Sequence, residues 1–284
     1  MSRNTRRLLA DRLAWLLVYV MAAIALIPLS LVLVYTVVNG LPAVTKLEFF
    51  TNVERPVAVP GGGVAHAILG TIVMVGIASL LAIPVGVISG VNLVEYGRSR
   101  LVGWVRLAAD VLVGTPSIAI GLFVYAVLVA PFKHFSGFSG SVALAVLMLP
   151  VVVRTTEAAV ALVPGSLREA GLALGLPRWR VALQLILPAA APGVITGALL
   201  AVARAAGETA PLLFTAFGNR FLNLDPGRAM SALPLIVFHN ALTPYPSLVE
   251  QAWGAALILI VLTLAINLAS RFALRRQIAL AGRL

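Results

Sequence analysis

The chain has 284 residues, 61% of them hydrophobic and only 11% charged, with a mean hydropathy of +1.03. Too few polar residues remain to clothe a soluble domain of this length, so lipid must face much of the chain. A net charge of +11 would suit a nucleic-acid partner, yet the basic residues fall in short clusters between long apolar runs, with no stripe or aromatic-interleaved patch. With no cysteine, disulfide and thiolate-metal chemistry are absent, and His66, His134 and His239 lack metal-ligand spacing.

A hydrocarbon core about 30 Å thick needs about 20 apolar residues of helix. After a short basic segment at 1–12, residues 13–38 supply a first span. It is too long for a secretory signal and lacks a small-residue cleavage site, so it reads as a retained anchor. Residues 39–64 form a loop rich in Pro and Gly. The second span covers 65–94, interrupted only by His66 and Pro84, and the third covers 107–130, with Asp110 near one end. The fourth starts near Ser139 and carries Arg154 and Glu157 at its far end. The fifth, 189–217, contains Arg204 and Glu208. A second Pro- and Gly-rich loop follows at 218–251, then the sixth span at 252–269 and a basic tail at 271–284. Both long loops read as surface connections, available to an external partner. Only helices satisfy backbone groups within the segment, and nothing alternates with the period of barrel strands. No internal repeat marks a secondary carrier.

Six spans place both termini on one side, and the basic residues say which. One side receives Arg3, Arg6, Arg7 and Arg12, then Arg98, Arg100 and Arg106, then Arg168, Arg178 and Arg180, and last Arg271, Arg275, Arg276 and Arg283. The other has Lys46, Arg55, Lys133, Arg220 and Arg228, offset by Glu48, Glu54, Asp225 and Glu250. The first side is therefore expected to be cytoplasmic, in an inner membrane.

The cytoplasmic loop at 164–188 reads as a helical hairpin. Ser166 and Glu169 have capping-box spacing, Gly175 suits a C-terminal turn, and Pro177 opens a second short helix that Pro188 ends. An amphipathic hairpin lying on the membrane surface accounts for this pattern. The spacing says more. Glu169-Ala170-Gly171, three residues, Gly175, nine residues, then Leu185-x-Leu187-Pro188 resembles the EAA loop of ABC-importer permeases, with Gly171 and Leu185 as the two departures. The resemblance implies that Glu169, Ala170, Gly171, Gly175, Leu187 and Pro188 belong to a coupling element that docks on a cytoplasmic ATPase subunit.

Further segments, in order, resemble the PstA-type phosphate permeases: LVEYGR at 93–98, PSIAIGLFVY at 116–125, HFSGFSG at 134–140, VRTTE at 153–157, SLREAGLALG at 166–175 and ARAAGETAPLLFTA at 203–216. Gly61 to Gly63 before the second span fits as well. The implied fold is all-α, a type I (MetI-like) ABC-importer permease of six transmembrane helices with a coupling helix pair, its MetI-like transmembrane domain of five helices spanning 65–270. The implied partners are a PstC-type permease, a dimer of nucleotide-binding subunits, an extracytoplasmic phosphate-binding protein and inorganic phosphate itself. Neither cofactor nor nucleic acid is implied.

Ionisable residues inside a membrane are functional candidates because inserting them is costly. Arg204 and Glu208, four apart on one helical face, form either a phosphate gate or a self-neutralising structural pair. In the gate, the guanidinium forks onto phosphate oxygens while the carboxylate moderates its hold. Arg154 and Glu157 are weaker path candidates that could equally snorkel or pair locally, and Asp110 suits helix packing or pairing. Thr115 and Ser117 either line the path or satisfy backbone groups freed by Pro116. Gly197, Ala201 and Ala205 recur every four residues and suit close helix packing. No Gly-x4-Gly-Lys-Ser/Thr loop is present, so the chain is not its own ATPase and is not expected to be an enzyme. The rival readings are a permease for sulfate or molybdate, an ATP-independent anion carrier, and a scaffold without a solute path.

Overall fold

The computed structural model describes residues 3–57, 59–97 and 100–281, so Arg98 and Arg283 of the basic clusters lie outside it. Its described residues are helical apart from turns and one isolated bridge between Phe217 and Met230. In chain order the helices are α1 (Arg3–Val44), α2 (Leu47–Thr51), α3 (Ala65–Glu95), α4 (Arg100–Gly114), α5 (Ser117–Val124), α6 (Ala130–Phe132) and α7 (Gly137–Ala161). They continue with α8 (Gly165–Ala173), α9 (Arg178–Arg180), α10 (Leu187–Ala206), α11 (Ala210–Thr215), α12 (Leu233–Ala241) and α13 (Pro246–Ala281). Wide π turns at Tyr125–Val129 and Val181–Ile186 join α5 to α6 and α9 to α10. Five stretches are long and apolar enough to cross a membrane: Asp11–Val44, Ala65–Glu95, Gly137–Ala161, Arg178–Ala206 and Pro246–Ala269. A sixth exists if the bent pair Arg100–Gly114 and Ser117–Phe132 counts as one span.

α7 lies at the centre, with 67% of its most apolar window buried, whereas none of the corresponding window of α1 is buried. Small residues let the neighbours close on it. A Cβ added at Gly90 of α3 would lie 2.6 Å from Thr156 Cβ, and one at Gly197 of α10 would collide with Thr155 Oγ1. Without such contacts helices in lipid have little to hold them together, because lipid tails are as apolar as Leu. Met74 and Ala78 of α3, Leu144, Met148 and Val152 of α7, and Ala201 and Ala205 of α10 form the main core with Leu212 and Leu235. The packing role expected of the 197–201–205 stripe is what the helices show.

The third span is not one helix. The chain turns through 106° between Gly114 and Ser117, inside the 107–130 run expected to be continuous. Pro116 is the cause: it has no N–H for Leu112 O, and it forces Thr115 out of the helical region. Thr115 N donates to Leu112 O instead, at 3.3 Å, and Thr115 Oγ1 donates to the Val111 carbonyl at 2.7 Å. The fifth span likewise stops at Ala206, short of the expected 217, and resumes as α11 after Gly207–Thr209 with Pro211 in its first turn. The two detached pieces pack on each other: a Cβ on Gly121 of α5 would come 2.6 Å from Pro211 Cα.

The long loops are shorter than expected. α1 continues to Val44, and α2 buries Phe49 at 2% exposure. Within 218–251, α12 buries Leu233, Pro234, Leu235 and Ile236 against α3 and α13, so this stretch is core and not simple surface connection. Its nine residues are too short to register as a span, and that hid it.

Candidate functional site

Arg204 sits in the last turn of α10, and Glu208 follows in the break before α11. The two were expected on one continuous helix. The break leaves them in contact nonetheless, with Arg204 Nε 3.4 Å from Glu208 Oε1. That pair is loose, and it is the only ion pair or hydrogen bond of the Arg204 side chain among the described residues. Half of the Arg204 side chain is exposed (49%), while Glu208 is largely covered at 17%. Leu147, Met148 and Val151 of α7, with Ala201 and Ala205, wall the pair on its inner side. The guanidinium therefore keeps unused donors on a helix whose other exposed residues include Ile195 and Leu200.

Arg154 and Glu157 are engaged very differently. Arg154 bonds Glu157 Oε2 at 2.6 Å and Asp110 Oδ1 at 3.0 Å, and Glu157 also receives Arg106 Nε. Arg106 adds a bond to Leu93 O at 3.1 Å. The four charges form a closed network that joins α4, α7 and the end of α3, with Glu157 only 13% exposed at its heart. Thr115 spends its hydroxyl on Val111 O, and Ser117 opens α5 after the bend.

The loop at 164–188 forms the helical hairpin that its spacing suggests, with two differences. α8 starts at Gly165 with Pro164 as its cap, so Ser166 is inside the first turn and caps nothing. Pro164 already has an extended ψ of 138° and offers its carbonyl to Leu167 N at 3.2 Å, which fixes the start before Ser166. Second, Pro188 does not end the second helix. The chain runs from Arg178 to Ala206 as one stretch, because the π turn ahead of Pro188 widens the ladder; Leu187 N donates to Ala182 O, five residues back. The other π turn precedes Pro131 at the same offset. Gly175 has φ +79° and makes the turn between the two helices. Gly171 is buried against Val181 and Leu185, whereas Glu169, Ala170, Leu174 and Trp179 are exposed, with Leu174 at 82%. Arg180 lies over the Trp179 ring, 5.2 Å from its centroid. The hairpin thus presents an apolar and charged surface that no other described residue covers.

At the opposite end, a pocket of about 520 Å³ is lined by Glu54, His66, Arg220, Ser231, His239 and Asn240. His66 and His239, remote in sequence, share it. Arg220 closes on Glu54 at 3.0 Å. Among the described residues no three His, Cys, Asp or Glu side chains are grouped to hold a metal ion.

The described residues thus leave a half-exposed arginine on an apolar helix and an exposed hairpin. Comparison with known proteins places the chain in a family. The chain is 43% identical to the phosphate transport system permease protein PstA of Yersinia pestis, covering 84% of this chain and 81% of that one. It is 40% identical to the protein of the same name from Pasteurella multocida, over 93% and 94%. Residues 82–278 match the family of binding-protein-dependent transport system inner membrane components. The chain belongs to the PstA family of these permeases. A chain of the MetNI methionine ABC transporter in an inward-facing conformation superposes with a TM-score of 0.59 at 19% identity, over 75% of this permease and 94% of that chain, which shows the shared MetI-like fold. Family membership makes the permease a multi-pass inner-membrane component that works with a binding protein.

Proposed function

We propose that this permease is one of two membrane subunits of an ATP-driven phosphate importer, passing inorganic phosphate through the inner membrane by alternating access. The observation that carries the reading is identity of 40–44% along most of the chain to proteins named as phosphate transport permeases. In this reading a PstC-type permease covers the Arg204 face, a dimer of nucleotide-binding subunits docks on the 164–188 hairpin, and a periplasmic phosphate-binding protein delivers the anion. Both termini lie in the cytoplasm, as the arginine distribution favours.

Within the path, Arg204 attracts the anion through donors that Glu208 leaves free, and Glu208 keeps the hold weak enough for release. Arg154 and Glu157 hold α4 to α7, and Thr115 stabilises the bend. The reading is tested on the purified complex in proteoliposomes, using radiolabelled phosphate with and without internal ATP. Uptake should require ATP and the binding protein, and excess sulfate or molybdate should not displace it. ATP-independent uptake would make the protein a carrier, and displacement by sulfate or molybdate would reassign its substrate.

A further inference from the structure

Two arginines that line a cleft of about 620 Å³ bond the end of α3. Arg106 of α4 reaches the Leu93 carbonyl at 3.1 Å. Arg168 of α8 does more. Its Nε donates to Glu95 Oε1 at 2.8 Å, its Nη1 to Val163 O at 2.7 Å and its Nη2 to Val160 O at 3.0 Å. Glu95 is the last residue of α3, Val160 lies in the last turn of α7, and Val163 follows that helix. Carbonyls at a helix end lack the regular intrahelical donor; that of Val160 accepts from Val163 N at 3.2 Å as well as from Arg168. One planar guanidinium therefore caps α7 and pairs with α3, using all three of its nitrogens. The side chains are well covered, with Arg168 at 23% and Glu95 at 13% exposure.

The remaining contacts of α8 lead elsewhere. Gly171 seats α8 on Val181 and Leu185 of the π turn that continues into α10. Leu167 adds an apolar contact to the cluster around Val160 and Val163, but apolar contacts are non-directional and tolerate sliding. Directional bonds from a rigid fork do not slide without breaking.

We infer that Arg168 is the positioning residue through which displacement of α8 is passed to α3 and α7, while Gly171 passes it to α10. The inference rests on the reading that the 164–188 hairpin docks on the ATPase subunits. The guanidinium, the Glu95 carboxylate and the two carbonyls act as a mechanical link; no chemistry on phosphate is assigned to Arg168.

The test uses the full complex with partner subunits free of reactive cysteines, since this chain has none of its own. Arg168→Gln should leave basal ATP hydrolysis in place but lower phosphate uptake per ATP hydrolysed about tenfold, within the usual range of coupling free energies. A second variant, Arg168→Cys with Glu95→Cys, should be uncoupled in the same way. Joining the two thiols with a short bifunctional reagent should then restore coupling, because the link to α3 is re-made covalently. A purely stabilising role for Arg168 predicts no such recovery. If Arg168→Gln fails to assemble, the cross-linked sample decides alone. Unchanged uptake per ATP in Arg168→Gln, or no recovery on cross-linking, overturns the inference. Gly175→Arg, run in parallel, separates the two failures: if it also transports normally, the docking reading itself is wrong.

Discussion

Gly171 and Leu185 are the two positions where the loop departs from the EAA pattern, and the fold sets them against each other. A Cβ on residue 171 would lie 2.7 Å from Leu185 Cδ1 and 2.9 Å from Val181 Cγ2. Leu185 can rotate its terminal methyl away; Val181, β-branched and 2% exposed, cannot. Gly171→Ala should therefore destabilise the permease by about 1–2 kcal/mol through overpacking. Adding Val181→Ala should cost less than the two single changes predict, a coupling visible in thermal unfolding of the detergent-solubilised protein. Strict additivity would show that the hairpin has slack. Arg204 calls for a different experiment. If it serves the path, Arg204→Gln should abolish uptake with assembly intact, and Arg204→Lys should restore only part, since the ammonium keeps the charge without the fork. Glu208→Gln should also slow transport. A transport-competent Arg204→Gln, Glu208→Gln double variant would instead mark a structural pair, because removing both charges leaves nothing buried and unpaired.

At the scale of elements, the hairpin and the bends do the work that straight spans cannot. Gly175 has φ +79°, and a Cβ added there would meet nothing within 4 Å beyond its chain neighbours. Backbone strain and loss of docking can therefore be told apart. Gly175→Ala carries only the strain of a left-handed conformation, about 1–2 kcal/mol, and should keep most transport. If the hairpin docks on an ATPase subunit, Gly175→Arg adds bulk on that face and should lose uptake and substrate-stimulated ATP hydrolysis while inserting normally. Equal activity of the two variants would remove the packed interface. The capping-box reading failed here for a local reason: Pro164 takes the cap position and starts the helix ahead of Ser166. Pro188 misled in the opposite sense, since a π turn accommodates it within a continuous helix. In both cases the residue was informative and its position in the helix was not, because the hydrogen-bond register belongs to the whole stretch.

At the scale of the molecule, orientation is the expectation with the most depending on it. The cysteine-free chain allows a direct measurement by labelling single introduced cysteines with a membrane-impermeant maleimide. Leu222→Cys, at a site 61% exposed, should label in intact spheroplasts. Gly165→Cys, in open space at the start of α8, should label only after permeabilisation. Labelling of Gly165→Cys from outside would take the hairpin away from any cytoplasmic ATPase.

What the sequence alone determined follows from its hydropathy and its spacing: an all-helical membrane chain, the second span to within a residue at each end (65–94 against Ala65–Glu95), the hairpin with its glycine turn, and the family. These are local or periodic signals, and lipid insertion enforces them strongly. Only the tertiary structure decided that the third and fifth spans break and pack their detached ends together, that 233–241 is core, and that Arg154 is closed in a network while Arg204 is half open. It also brought Arg168 onto Glu95, 73 residues away in the chain. Such pairings are set by which small residues let helices approach and by where orphaned carbonyls find donors, and neither is written in any one segment.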